Sequence, residues 1–346
     1  MNQREPTPRD WPPAALLIPI LVLGGCAGVT PRPAAPGRFD RAIETLAALL
    51  ESSYVIPAQG GRHAAMLRRN LARGAYAGIE GRGAIAARLT ADLRAVAADG
   101  HLRVEPEGGA GPVRVARVSM GHPMRRPPPI EDAGWIADGV ACIRFHEFPG
   151  DPDTVAAVDR FMADHAAARA IIIDARSHRG GGVAEMNVLL SYLFARETTL
   201  VFMDLAEALV RRKGPPPDDG PEVRRIAGPP GVFRREHVAI PNRTETRLFG
   251  AKVFYLVSSR TASAAEHLAL ALKRTHRAVL VGEHTAGANH FGGYEPLGDG
   301  LAVFLPVGRT LDPDTGSDWE GSGIQPDVAV PADRALDEAL RLARSR

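Results

Sequence analysis

Val253-Phe254-Tyr255-Leu256-Val257-Ser258-Ser259-Arg260-Thr261-Ala262-Ser263-Ala264-Ala265-Glu266 is the stretch on which the reading of this chain turns. Its apolar start reads as a buried strand, and Ala264 to Arg274 reads as a helix. A strand ends and a serine opens a helix. A hydroxyl placed there lies beside free backbone N–H groups and the positive end of the helix dipole, both of which stabilise negative charge. An acyl-transfer nucleophile belongs in such a place, because its oxyanion forms beside the same amides. Ser263-x-x-Glu266 is equally a capping box, which needs no chemistry. Local pattern leaves both readings open.

Working outward, helix and strand patterns alternate. A helix at about 153–167 precedes the apolar strand Ala170 to Asp174, and a helix at about 183–196 precedes a strand from Thr199 to Met203. Strands at Ala278 to Val281 and Leu301 to Val307 follow, then a terminal helix from about 332. Such alternation implies a largely parallel α/β core. Upstream, Ile43, Leu46, Leu49, Leu50, Leu89, Leu93 and Val96 recur at helical spacing. They predict a small helical domain over 38–98, with breaks near 57–60 and 78–83. β-Branched runs at Val113 to Val118 and Val140 to Phe145 flank a Pro-rich stretch. Residues 205–248, with RRKGPPPDDGPEVRR and IAGPPG, read as a solvated, mobile insertion that could also serve as a lid.

Composition narrows the class. The chain has 346 residues, and 42 Lys and Arg nearly balance 40 Asp and Glu, which argues against a nucleic-acid partner. At the N-terminus, Arg4 and Arg9 precede an apolar run from Ala14 to Leu23 that is too short for a permanent span. The run ends in Leu23-Gly24-Gly25-Cys26, which looks like a bacterial lipoprotein signal. The expectation is a signal peptide over 1–25 and acylation of Cys26, since several acyl chains anchor better than one. A Pro-rich tether over 26–37 would then hold the chain at a bacterial cell envelope, facing the periplasm or exterior. Cys142 is then the one remaining thiol, expected as a small core residue. No HExxH helix, paired cysteine ligands, Walker loop or dinucleotide fingerprint occurs, so neither metal nor cofactor is expected.

Two segments carry a resemblance. Residues 258–287 read SSRTASAAEHLALALKRTHRAVLVGEHTAG, and residues 174–182 read DARSHRGGG. Over roughly 99–335 the chain resembles the tail-specific, or C-terminal processing, serine proteases, whose members include the tricorn core and interphotoreceptor retinoid-binding protein. The resemblance implies a crotonase/Clp-protease-like core of β-β-α units and a catalytic domain over 99–346. It makes Ser263 the nucleophile, and it implies an oxyanion hole from the N–H of Ala264 with that of Gly180 or Gly181. His178 stands where the family has Asn. The lysine base of many members is replaced by Ala288, which excludes a Ser–Lys dyad. The family's other branch pairs a histidine with a glutamate. Asp99-Gly100-His101 and Trp319-Glu320-Gly321 match its motifs, so the resemblance implies His101 as base, oriented by Glu320, with His290 as the rival base. Too few residues separate His101 from Val140 for a PDZ domain.

The resulting expectation is a serine endopeptidase acting on a peptide or protein substrate through an acyl-enzyme, touching membrane through its lipidated N-terminus. The alternatives are a non-catalytic binder of a hydrophobic ligand or peptide, and an esterase using the same residues.

Overall fold

Ala170-Ile171-Ile172-Ile173 is apolar at every position, as a strand covered on both faces must be. The computed structural model, which describes residues 37–97, 99–107, 127–216 and 220–344, shows why. This strand, β4 (Ala170–Asp174), lies inside a sheet between β3 (Val140–Phe145) and β8 (Lys252–Val257), parallel to both. The sheet continues through β9 (Val279–Gly282) to β12 (Val328–Ala329), also parallel. At its other edge, β2 (Ile130–Ala137) runs antiparallel to β3. Ile171, Ile173, Val253 and Tyr255 enter a core with α4 (Pro152–Asp164), α5 (Ala184–Leu193) and α7 (Ala264–Arg274). Ala170, Ile172, Phe254 and Leu256 face Ala335, Ala339 and Ala343 of α8 (Ala335–Arg344). Cys142 is buried on this second face, in the core role expected of it.

A second sheet is wholly antiparallel. β11 (Leu301–Leu311) pairs with β1 (Arg103–Pro106), β5 (Thr198–Ala206) and β10 (Phe291–Gly298). β5 pairs with β7 (Val232–Ala239), and β7 with β6 (Val223–Ile226). The alternation that implied a largely parallel core therefore describes one sheet of two. The reading of 205–248 as a solvated insertion is corrected here. The segment supplies β6, β7 and α6 (Glu207–Lys213), and β7 runs along β5. Its Pro- and Arg-rich turns masked a period-two pattern that buries Phe233, Arg235, His237 and Ala239. The β-branched run at 113–118 and the expectations for residues 1–36 lie outside the described residues.

The N-terminal helices are α1 (Asp40–Ser53), α2 (Pro57–Ala72) and α3 (Arg82–Val96). Ile43, Leu46, Leu50, Leu67, Ile85, Leu89 and Leu93 bury against Leu297 of β10 and Leu301, Val303 and Leu305 of β11. The helices thus pack on the antiparallel sheet rather than only on one another. Tyr54, just past α1, reaches from this layer to Asp99, donating to its Oδ2 at 2.7 Å.

Candidate active site

Because β4 and β8 are parallel neighbours, their carboxyl ends lie side by side, and so do the loops that leave them. Open parallel sheets offer their binding crevices at that end. The two loops are stitched together: Thr261 Oγ1 donates to the Ala175 carbonyl at 2.8 Å, and Ser258 Oγ donates to that of Arg176 at 2.6 Å. The Ala262 N–H donates to the His178 carbonyl at 3.0 Å. These bonds set Ser263, the N-cap of α7, against the glycines of residues 180–182. A Cβ on Gly180 (φ +104°) would stand 2.7 Å from Ser263 Cβ and 3.1 Å from Ala264 N. Only glycine fits that approach.

Ser263 is half-buried with φ 57° and ψ −121°, a backbone state costing a non-glycine residue about 1–3 kcal/mol. Glu266 holds it there. This fully buried carboxylate accepts from the N–H groups of Ser263 (2.9 Å), Gly287 (2.7 Å) and Ala288 (2.9 Å), and from Thr285 Oγ1 (2.5 Å). The capping reading of Ser263-x-x-Glu266 therefore describes part of the geometry, with Glu266 also pinning the following loop.

Two amides beside Ser263 have no acceptor among the described residues, those of Gly181 and Ala264. The Gly180 N–H is occupied, donating to His178 Nδ1 at 3.1 Å. His178 thereby supplies the acceptor that an Asn carbonyl could offer. Burial pushes its pKa down to about 3, so the ring stays neutral, its edge against Phe148. The Phe148 N–H donates to the Gly180 carbonyl and the Gly182 N–H to the Phe148 carbonyl, which keeps the Gly181 amide between them free.

The histidine and glutamate expected to assist form a second cluster. Glu320 Oε2 accepts from the N–H groups of Asn289 and His290, both at 2.8 Å, and Oε1 accepts from that of Gly100 at 3.0 Å. His101 Nδ1 lies 3.8 Å from Oε1, without a hydrogen bond, and the ring leans on Phe304. Burial alone would raise the pKa of Glu320, but the His101 side chain and the His290 amide hold it below its usual value. His290 Nδ1 donates to Asp99 Oδ2 at 2.9 Å. Its Nε2 is sealed and unpartnered, 4.0 Å from Asp318 Oδ2. Against the effect of burial, that bond raises the pKa of His290 and, with Tyr54, draws Asp99 down to about 2. Asp99, His290 and Glu320 lie close enough to share a metal ion. Their carboxylate oxygens, however, already accept from backbone N–H groups, Tyr54 and His290, which suits a brace better than a cation.

No hydrogen bond joins a histidine to the Ser263 hydroxyl among the described residues. Of the predicted set, Ser263, Gly180, Gly181 and Ala264 converge directly, and His101, Glu320 and His290 gather around the 287–290 loop that Glu266 ties back to Ser263. Sequence reading passed over Asp99, Tyr54 and Glu266 as braces. It also passed over His267, one helical turn beyond Ser263, although the Ser-x-x-x-His spacing was there to be read.

A profile of peptidase family S41 matches residues 139–330, and one for the N-terminal domain of that family in eukaryotic interphotoreceptor retinoid-binding protein matches residues 37–128. The chain belongs to peptidase family S41. Its α/β fold is the family's. Chloroplastic carboxyl-terminal-processing peptidase 1 of Arabidopsis thaliana is 38% identical over 94 residues, 27% of this chain and 19% of that protein. A putative peptidase from Parabacteroides merdae superposes with a TM-score of 0.60 at 14% identity, covering 90% of this chain and 98% of that one. The photosystem II D1 C-terminal processing protease superposes at 0.54 and 18% identity, with the same coverage of each chain.

The buried imidazoles make this S41 fold acid-sensitive. Burial holds His178 and His267 neutral down to about pH 3 and 4, and His237 well below its usual value. Once unfolded, all three bind protons near pH 6.5. The unfolded chain thus holds more protons below that pH, and stability falls as pH drops. At pH 5 that costs about 2 kcal/mol for each of His178 and His267, and His237 acts in the same direction. His290 acts oppositely, its contribution being complete below pH 6.5 and fading as pH rises through its raised value. Thermal melting between pH 8 and 5 should show a steep net loss toward acid. A flat profile would show these rings are hydrated rather than buried.

Proposed function

We propose that this chain hydrolyses peptide bonds through an acyl-enzyme on Ser263. The observation that carries the reading is the strained serine at the N-terminus of α7 beside two unoccupied amides, those of Gly181 and Ala264. Ser263 Oγ attacks the scissile carbonyl, and the oxyanion is held by those N–H groups. His101 Nε2 takes the serine proton and passes it to the leaving amine, and water then repeats the sequence on the acyl-enzyme. Glu320 fixes the His101 tautomer, the 3.8 Å separation closing by about 1 Å when substrate binds. His101 is favoured over His290 because its side chain is 23% exposed, against 3% for His290, whose Nε2 faces Asp318. The substrate is a peptide or protein chain. The same proposal places the enzyme at a bacterial cell envelope, held by acylated Cys26.

A chain starting at residue 27 should react with a serine-directed fluorophosphonate, with the adduct mapping to Ser263. His101→Ala should slow labelling by about 10²–10⁴-fold. His290→Asn, which keeps a donor where Nδ1 meets Asp99, should label at close to the parent rate. The opposite ranking would move the base to His290. Complete inertness of the folded chain would favour a binding protein, and turnover of esters but not peptides an esterase.

A further inference from the structure

Beside Ser263 opens a cavity of about 240 Å³, lined by Val183, Met203, Phe291 and Trp319 on its apolar side and by Arg235, His267, Asn289 and Thr310 on its polar side. Gly181, Ser263 and Ala264 also line it, so the side chain of a residue whose carbonyl sat at those two amides would have this space before it. Asn289 is spoken for, its amide exchanging hydrogen bonds with the Thr310 backbone at 2.9 and 3.1 Å.

His267 is different. Its Nε2 lies 2.8 Å from His237 Nδ1, and His237 Nε2 lies 2.7 Å from Asn187 Oδ1. Asn187 Oδ1 only accepts, so His237 carries its proton on Nε2 and accepts at Nδ1. His267 must then donate from Nε2, which leaves its Nδ1 a bare lone pair. Among the described residues that Nδ1 has no partner, and it is not sealed as the Nε2 atoms of His178 and His290 are. Burial keeps the ring unprotonated, with its pKa lowered to about 4, so the acceptor persists at neutral pH.

We propose that His267 selects the residue on the acyl side of the scissile bond, its Nδ1 accepting a hydrogen bond from an uncharged donor, a carboxamide or hydroxyl side chain. Arg235 already lines the cavity, so a lysine or arginine side chain of the substrate would meet like charge there. Apolar side chains of the same size fill the space but leave the lone pair without a donor. The His237–Asn187 pair acts behind His267 as a positioning device, fixing which nitrogen faces substrate.

This selection rests on Ser263 as nucleophile, and the test separates the two. Matched fluorogenic peptide amides carrying Gln or Met, and Thr or Val, before the scissile bond would be compared by kcat/KM, with fluorophosphonate labelling of Ser263 run in parallel. The parent should favour Gln over Met and Thr over Val by about tenfold. His267→Gln should bring both ratios near unity. Its side-chain amide can still donate to His237, so the buried chain and the fold survive, but nothing remains at the Nδ1 position. His267→Asn places an oxygen there and should retain part of the preference. Ratios near unity in the parent, or unmoved by His267→Gln, with Ser263 still labelled, would overturn the selection and leave the peptidase reading standing. Absence of both labelling and turnover would overturn the two together.

Discussion

Ser263→Ala should lower kcat for peptide hydrolysis by about a millionfold while leaving thermal stability within about 0.5 kcal/mol of the parent. Alanine inherits the same strained backbone, φ 57° and ψ −121°, so the fold neither gains nor loses that strain. Ser263→Gly should be equally inactive yet more stable by about 1 kcal/mol, because glycine adopts this conformation freely and gives back only part of the gain as chain entropy. A nucleophile held in a conformation that its own type disfavours is what a functional reading requires. A serine that merely capped α7 would have no reason to sit there. Turnover assays and melting curves on the two variants check both halves. Peptidase activity surviving in either would remove Ser263 from the reaction.

Glu266→Ala should be the most destabilising single change in the site. It strands four donors at once, the amides of Ser263, Gly287 and Ala288 and the Thr285 hydroxyl, in a position with no measurable exposure. Each unsatisfied buried donor costs about 1–3 kcal/mol, so even with relaxation the loss should be on the order of 4 kcal/mol. That corresponds to a drop in Tm of roughly 10 °C for a chain of this size. Glu266→Gln should fall between, since its amide nitrogen turns a donor toward donors. Phosphonate labelling should slow in both, because Glu266 links the Ser263 backbone to the 287–290 loop on which Glu320 acts. Parent-like melting of Glu266→Ala would mean that water satisfies these groups and that the carboxylate braces nothing.

Much of this molecule is legible in short windows of its sequence. The run Ala170 to Ile173 declares a strand buried on both faces, and Val253 to Val257 followed by Ser263 and Ala264 declares a strand, a turn and a helix start. The structure bounds those elements at Ala170–Asp174, Lys252–Val257 and Ala264–Arg274. Each follows from apolar spacing and local turn chemistry, which act within a few residues. Residues 205–248 misled because Pro, Gly and Arg dominate their composition, whereas β7 depends on pairing with β5, and β6 on pairing with β7.

The sequence by itself determined the strand–serine–helix unit, and the resemblance it carries pointed to the glycines at 180–182 and to Ala288 where many relatives have a lysine. Only the tertiary structure decided which glycine amide is free, since the claim of His178 on Gly180 depends on how that loop folds back. It alone brought His290 to Asp99 across 191 positions and Gly100 to Glu320 across 220, and it alone pointed His267 at His237. The division has a physical cause. Strand and helix periods are written into neighbouring residues, whereas hydrogen bonds between distant carboxylates and imidazoles exist only after two sheets and a helical layer have packed, and their partners carry no local mark.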